Sequence, residues 1–374
     1  MLRKALFIVV GALLWASGQP VAAQRMENGN VRPVSDGIVQ EVSMMLQPQS
    51  GQPQSAKMSV DSAGAKSIRI RISIAESATP RTDFVVAVRD RNGGLVARYP
   101  AAELRVKQEV WSPPVPGASV EVEVETAAAD TAGIAIAVTG IIAQRTPGDP
   151  MLSVLGETFD LEPMEVFRLE KPEIFKAGLA VAKLMFVRDG KSLACTGFMI
   201  DDNRMLTNEH CINSQAVCES AVALFGYDSN TSMTSEMVRD QSSACLEFLS
   251  MDKKLDVAMV RLANSPGKRW GRLKLAAATP DELSIVIHHP NGDPKYVTRE
   301  DCFVVKLPVD GRAKDTDFSH LCDTMGGSSG SPVLSRRSLE VIGLHHFGSD
   351  LADPDWRDQN RAVRMELIRT KLGL

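Results

Sequence analysis

Three short stretches, far apart in the chain, hold the side chains that could do chemistry together. The run GGSSGSPVL, residues 326–334, sets Ser328, Ser329 and Ser331 among three glycines. A serine hydroxyl is a weak nucleophile in neutral water, so it needs a base within hydrogen-bond reach and an acid that orients that base. CTGFMIDDNRMLTNEHC supplies the base: His210 stands directly before Cys211 at the end of a strand-like run. KKLDVAMVRL supplies the acid: Asp256 heads an apolar strand, a costly place for a carboxylate unless it accepts hydrogen bonds. Donation from an imidazole Nδ1–H would satisfy it, leave Nε2 free to take a proton and stabilise the imidazolium that results. The chemistry this predicts is acyl transfer. The serine attacks a carbonyl while His210 takes its proton, His210 then protonates the leaving group, and water releases the acyl-enzyme.

The elements that must position these residues are strands. After about residue 174, short apolar runs (LAVAKLMFV, AVALFGY, VAMVRL, SIVIH, CFVVKLPV, EVIGLHH) alternate with Gly, Asn, Asp and Pro, and helical spacing is confined to the end, NRAVRMELIRTKLGL. Val363, Leu367, Ile368 and Leu372 there predict a terminal helix with one apolar face. Upstream, SIRIRISI and SVEVEVET alternate strictly, and DFVVAVRDRNGGLVARY reads as a hairpin turning at residues 91–94, so residues 66–146 predict a small antiparallel β-sandwich. Its arginines and glutamates are expected on the solvated face. Residues 24–65 read as a flexible segment containing the spacer QPQSGQPQS, and residues 147–173 as a linker.

LTNEHC, LDVAMVRL and GSSGSP, in the order His, Asp, Ser, resemble the trypsin-like serine proteases, and SSGSPV, IHHPNGDPK and VIGLHHFG are similar to bacterial secreted glutamyl and lysyl endopeptidases. The resemblance covers residues 174–374. It implies an all-β, chymotrypsin-like double β-barrel with a C-terminal helix, and a serine endopeptidase with His210, Asp256 and Ser329 as the triad. Ser329 is the matching nucleophile, and the backbone N–H groups of Gly327 and Ser329 would form the oxyanion hole. Digestive members carry Asp immediately before the nucleophile; Ser328 stands there instead, which removes the ion pair that a newly cut N-terminus would make. The substrate pocket is implied twice over. Asp323 matches the base of a pocket for Arg or Lys, whereas Thr324 and His345 resemble residues that bind a carboxylate; Phe347 and Gly348 would form its wall. A structural role for Asp323 is the other reading, because its CDT run resembles one in lysyl endopeptidases where it is not the main specificity determinant.

The first 23 residues carry Arg3 and Lys4, an apolar run and small residues up to Ala23, the layout of a secretory signal. A secreted or periplasmic protein is therefore expected, without an integral membrane segment once the signal is removed. Six cysteines, Cys195, Cys211, Cys218, Cys245, Cys302 and Cys322, then predict disulfides rather than a zinc site, since no Cys-x-x-Cys pair occurs. Pairing in sequence order is the expectation among the possible connectivities. The net charge of −4, with no basic cluster, argues against nucleic acid as a partner. The implied partner is a protein or peptide substrate, and no metal or cofactor is called for. Two other readings use the same residues: a catalytically silent binding protein on this scaffold, and an esterase-type acyl hydrolase.

Overall fold

The computed structural model describes residues 33–48, 55–127, 131–144, 152–153, 160–228, 233–349 and 359–374. The signal-like leader, most of QPQSGQPQS and part of the expected linker lie outside the described residues.

The N-terminal half is built from β1 (Val34–Leu46), β2 (Ser55–Asp61), β3 (Ser67–Ile74), β4 (Val85–Asp90), β5 (Leu95–Pro100), β6 (Glu109–Trp111), β7 (Val115–Pro116), β8 (Ser119–Glu125) and β9 (Ile136–Gln144). Two antiparallel layers result, β1-β9-β3-β6 and β2-β8-β4-β5. Period-two alternation is the reason they close on each other. Ile68, Ile70 and Ile72 from one layer and Val120, Val122 and Val124 from the other are fully buried in a shared core.

Two expectations for this half need correction. The segment 24–65 is not flexible throughout, since β1 and β2 both fall within it. Register shifts at Ser35/Gly37 and Glu41/Met44 break the period of β1, so its apolar residues do not alternate in sequence. Nor are all the arginines of the sandwich solvated. Arg69 is wholly buried, its Nε donating to Ser112 O (2.8 Å) and a terminal nitrogen to Ser220 O (2.7 Å). Its face of β3 is covered by the C-terminal half.

β10 (Leu152–Ser153) and β11 (Glu162–Pro163) follow, each pairing with the C-terminal half. The expected linker also contains the helix Phe167–Glu170 and the start of a second, Pro172–Gly178, and these pack on that half through buried Phe167 and Ile174. Next come β12 (Val181–Arg188), β13 (Lys191–Met199), β14 (Arg204–Thr207), β15 (Val222–Leu224), β16 (Ser242–Asp252) and β17 (Val257–Leu262). They run β12-β15-β16-β17-β14-β13, and β13 pairs back to β12, which closes a six-stranded barrel. The remainder is β18 (Ser284–His288), β19 (Tyr296–Thr298), β20 (Val304–Val309), β21 (Asp317–His320), β22 (Thr324–Met325), β23 (Pro332–Ser335), β24 (Val341–Phe347) and β25 (Asn360–Arg364).

This second sheet runs β19-β18-β23-β24-β25-β21-β20. With β19 and β20 taken as two halves of one broken strand, its order repeats that of the first barrel. It is a half-barrel whose ends meet at the antiparallel bridge Leu283–Phe303. The all-β, chymotrypsin-like double barrel is thus present, followed by a terminal helix, Met365–Leu372, that buries Met365 and Ile368; Val363 belongs to β25 instead. Short helices also occur at Ala101–Lys107, Gln215–Glu219 and Ser235–Gln241. Each has at most two turns, too little for a sequence period to register.

Three disulfides link Cys195 to Cys211, Cys218 to Cys245 and Cys302 to Cys322. The two halves of the chain are joined by backbone pairing as well, because β1 lies antiparallel on the edge of β13 from Val34 opposite Ala194 to Ile38 opposite Lys191. No helix among the described residues is long and apolar enough to cross a membrane.

Candidate active site

His210 and Asp256 meet inside the rim of the closed barrel. β14 ends at Thr207, and the chain turns so that Cys211 and Ile212 N–H groups both donate to Asn208 O. The Cys195–Cys211 disulfide then ties this turn to β13. Asp256 is the last residue of the turn before β17, with φ +42°, and its side chain is fully buried.

Every contact the Asp256 carboxylate makes is with a donor. Oδ2 lies 2.7 Å from His210 Nδ1 and 3.2 Å from His346 Nδ1; Oδ1 accepts the His210 backbone N–H (3.0 Å) and lies 3.2 Å from an Arg312 terminal nitrogen. Asn208 Nδ2 adds a bond to the Asp256 carbonyl (2.9 Å). Burial alone would raise its pKa, but His210 and His346 outweigh burial and hold it well below the usual carboxylate range. Two contacts on one carboxylate oxygen and two on the other fix its orientation, and with it the ring of His210.

Ser329 approaches from the second sheet. Its carbonyl accepts Thr196 N–H (2.8 Å) on β13, next to the cysteine that is bonded to Cys211, so residues 195 and 196 link the serine turn to the histidine turn. The serine turn is internally bonded: Ser328 N–H donates to Met325 O, Ser331 N–H to Ser328 O and Gly330 N–H to His345 O. Gly327 adopts φ +91°, and a Cβ there would lie 2.7 Å from His289 O, so glycine is required both by conformation and by space. The N–H groups of Gly327 and Ser329 make no hydrogen bond among the described residues, and neither does the buried Nε2 of His210. Catalytic hydrogen bonds in resting enzymes are commonly loose and tighten when substrate binds.

The flanking serines have other partners. Ser328 is buried, with its Oγ accepting Met325 N–H (3.1 Å) and lying 2.7 Å from His288 Nδ1, and Ser331 Oγ donates to Ser328 O.

The residues expected to line the pocket lie in and beside β22 and β24. Asp323 is buried, and its Oδ2 accepts Asp160 N–H (2.9 Å). Thr324 Oγ1 accepts from Asn360 Nδ2 (3.0 Å), and His345 Nδ1 lies 3.2 Å from His320 Nε2. Phe347 stacks on His346 with centroids 3.8 Å apart, and Gly348 follows half-buried. Cys195, His210 and Cys211 cluster within metal-ligating distance, but both sulfurs are spent in a disulfide and cannot act as thiolate ligands.

Four partners were not singled out from the sequence: His346, Asp317, Arg312 and Asn208. Only His346 had a signal, since adjacent residues of a strand face opposite ways, so that of the pair His345–His346 one must turn from the pocket toward the barrel interface. His346 Nε2 contacts buried Asp317 Oδ2 at 2.5 Å, which leaves the imidazole between two carboxylates. Burial would lower its pKa, yet Asp317 and Asp256 overcome burial and raise it to about 9. The other five histidines move the other way. Burial takes His288 and His320 to about 3, pushes His289 and His345 well down, and lowers His210 despite Asp256.

A pH dependence of stability follows. Below about 6.5 the unfolded chain binds protons that the five depressed histidines refuse, so stability falls as pH drops from there. His346 contributes in full below about 6.5, and its contribution is lost as pH rises through about 9. Thermal melts across about pH 4–10 are therefore expected to peak near neutrality. In a His346→Gln variant the alkaline decline should flatten while the acid decline stays; equal alkaline slopes in the two proteins would contradict the charged state assigned to His346.

A double barrel of the chymotrypsin type, with an imidazole–carboxylate pair in one barrel and a glycine-rich serine turn in the other, defines the class. Residues 170–360 match the family described as lysyl endopeptidase, C-terminal domain, and residues 19–141 match the lysyl endopeptidase N-terminal domain. The chain belongs to the lysyl endopeptidase family. The lysyl endopeptidase of Pseudomonas aeruginosa is 24% identical over 318 residues, 75% of this chain and 65% of that protein. The secreted RxLR effector protein 73 of Plasmopara viticola is 31% identical over 186 residues, 46% of each. The chain thus spans less than two thirds of the length of these curated relatives. Among solved structures, a Glu endopeptidase in complex with MPD has a TM-score of 0.43 at 17% identity, over 59% of this chain and 100% of that one. The active form of the Rv3671c protease of M. tuberculosis has 0.41 at 18%, over 59% and 89%.

Proposed function

We propose that this protein is an exported serine endopeptidase in which Ser329 is the nucleophile, His210 the general base and acid, and Asp256 the group that orients His210. The observation that carries this reading is the buried His210–Asp256 pair, in which the carboxylate takes Nδ1 and so leaves Nε2 to accept a proton. Ser329 attacks a scissile carbonyl as His210 takes its proton; His210 gives that proton to the leaving amine, and water repeats the sequence on the acyl-enzyme. Gly327 and Ser329 supply two N–H groups for the oxyanion. The three disulfides favour an oxidising compartment.

The preferred substrate is a peptide with lysine before the scissile bond. Of the five residues expected to line the pocket, Asp323 alone carries a carboxylate, and His345, pushed well below its ordinary pKa, is neutral at pH 7 and offers little to an anion. The name of the Pseudomonas relative points the same way. Digestion of a denatured protein, with mass spectrometry of the products, tests both parts. Cuts after lysine support the reading, cuts after glutamate would reverse the pocket assignment, and no cuts with ester hydrolysis retained would leave an acyl hydrolase.

Gly327→Ala tests the oxyanion role. The added methyl would press on His289 O and on Gly292 N (2.9 Å), so the turn must move and one donor with it. Loss of one such donor costs about 10²- to 10³-fold in kcat, with KM little changed. A kcat within threefold of the parent would show that the Gly327 N–H is not used.

A further inference from the structure

Arg312 belongs to neither the triad nor the expected pocket, yet it touches the carboxylate at the centre of the site. It lies between β20 and β21, on the second sheet, and reaches across to the closed barrel. One terminal nitrogen bonds Glu209 Oε2 (2.9 Å), the residue before His210, and lies 3.4 Å from Lys253 O; the other lies 3.2 Å from Asp256 Oδ1. Its guanidinium carbon sits 5.9 Å from the centre of the Phe347 ring, and its side chain is 14% exposed. A planar fork held at three points in a poorly hydrated place is a rigid device.

We propose that Arg312 is a positioning residue for the reaction, holding Asp256 Oδ1 from the opposite barrel so that Oδ2 stays on His210, and setting with its charge the proton affinity of that imidazole. This inference rests on the peptidase reading only for its kinetic part. The charged and titratable groups around His210 and Asp256 are Glu209 and Arg188 from the first barrel, and His345, His346, Asp317 and Arg312 from the second. Burial is the main reason the pKa of His210 falls; Asp256 favours the imidazolium, and the charges of Arg312 and His346 add to the lowering. Without Arg312 the imidazolium would be stabilised more and the acid limb of activity would move to higher pH. Together with His346, the fork is a contact by which the second half-barrel holds an acid carried by the first barrel. A change in how the two barrels meet would therefore reach the triad through this side chain.

The experiment is a titration of the His210 ring by NMR with labelled histidine, in the full chain carrying Ser329→Ala, compared with the same protein carrying Arg312→Met or Arg312→Lys. The methionine variant is expected to raise the midpoint by about half to one pH unit, and the lysine variant to leave it near the parent value. In the otherwise native enzyme, Arg312→Met should lower kcat roughly tenfold with KM within about twofold, and Arg312→Lys should recover part of that loss. If the methionine variant does not fold, Arg312→Gln, which keeps a donor to Glu209 but no charge, serves in its place. An unmoved midpoint in the uncharged variant, or an equal shift with lysine, would overturn the proposal. The titration needs no turnover: a native chain that hydrolyses no peptide yet shows the shift would defeat the peptidase reading and support this one.

Discussion

Replacing Ser329 by alanine is expected to abolish covalent labelling by a fluorophosphonate probe and to lower peptide hydrolysis by roughly 10⁴- to 10⁶-fold. The size of the effect follows from the division of labour in the site. In the proposed mechanism His210 and Asp256 only prepare a proton acceptor, and without an oxygen to deprotonate no acyl-enzyme would form; what would remain is binding and the oxyanion donors. The neighbouring hydroxyls provide the control. Ser328→Ala should still be labelled, because its Oγ is committed to Met325 N–H and His288 in a buried turn. Its cost falls on stability, on the order of 1–3 kcal/mol for the buried partners left unmatched. Labelling that survives in the Ser329 variant would mean that a different hydroxyl carries the chemistry.

Asp256→Asn is expected to reduce kcat by about 10⁴-fold while leaving the fold intact. The reason lies in the sign of every partner around that side chain. His210 Nδ1 and backbone N–H, His346 Nδ1 and Arg312 all present hydrogens to the carboxylate. An amide offers one oxygen and one NH₂, so at least one of these donors would face another donor. If the NH₂ faces His210, the ring must present a lone pair from Nδ1, which puts the proton on Nε2 and leaves nothing to accept the serine hydrogen. If it faces Arg312, that largely buried cation loses one of its two carboxylate partners and meets an NH₂ instead. Activity within tenfold of the parent at neutral pH would be incompatible with Asp256 setting the tautomer.

Much of this site is legible along the chain because each part sits in a locally distinctive run. His210 is flagged by the cysteine beside it, Asp256 by its place at the head of an apolar strand, and Ser329 by glycines that a core strand would not contain. The sandwich declares itself through alternation in β3 and β8 for the same kind of reason: a sheet buried on one face repeats every two residues. Where that condition fails, so does legibility. β1 carries two bulges and alternates poorly, and Arg69 looks solvated because a half-buried sheet is the default reading of Ile-Arg-Ile. Its burial depends on what lies on the other face of β3, which no local pattern encodes.

By itself the sequence determined the strand-rich character of the chain and its division into a sandwich and a double barrel, and it singled out the three side chains proposed as the triad. These are properties of residue type and short-range spacing, and they survive being read one stretch at a time. Tertiary structure alone decided the surroundings that give those side chains their strength. Arg312, His346 and Asp317 lie 56, 90 and 61 positions beyond Asp256, and of these only His346 falls in a recognisable run; they matter because the second sheet folds Arg312 and His346 against a buried carboxylate, with Asp317 behind His346, where charges only a few ångströms apart interact far more strongly than in water. The choice among cysteine pairings is of the same kind, since it is made by which Cβ atoms the barrels bring within bonding distance.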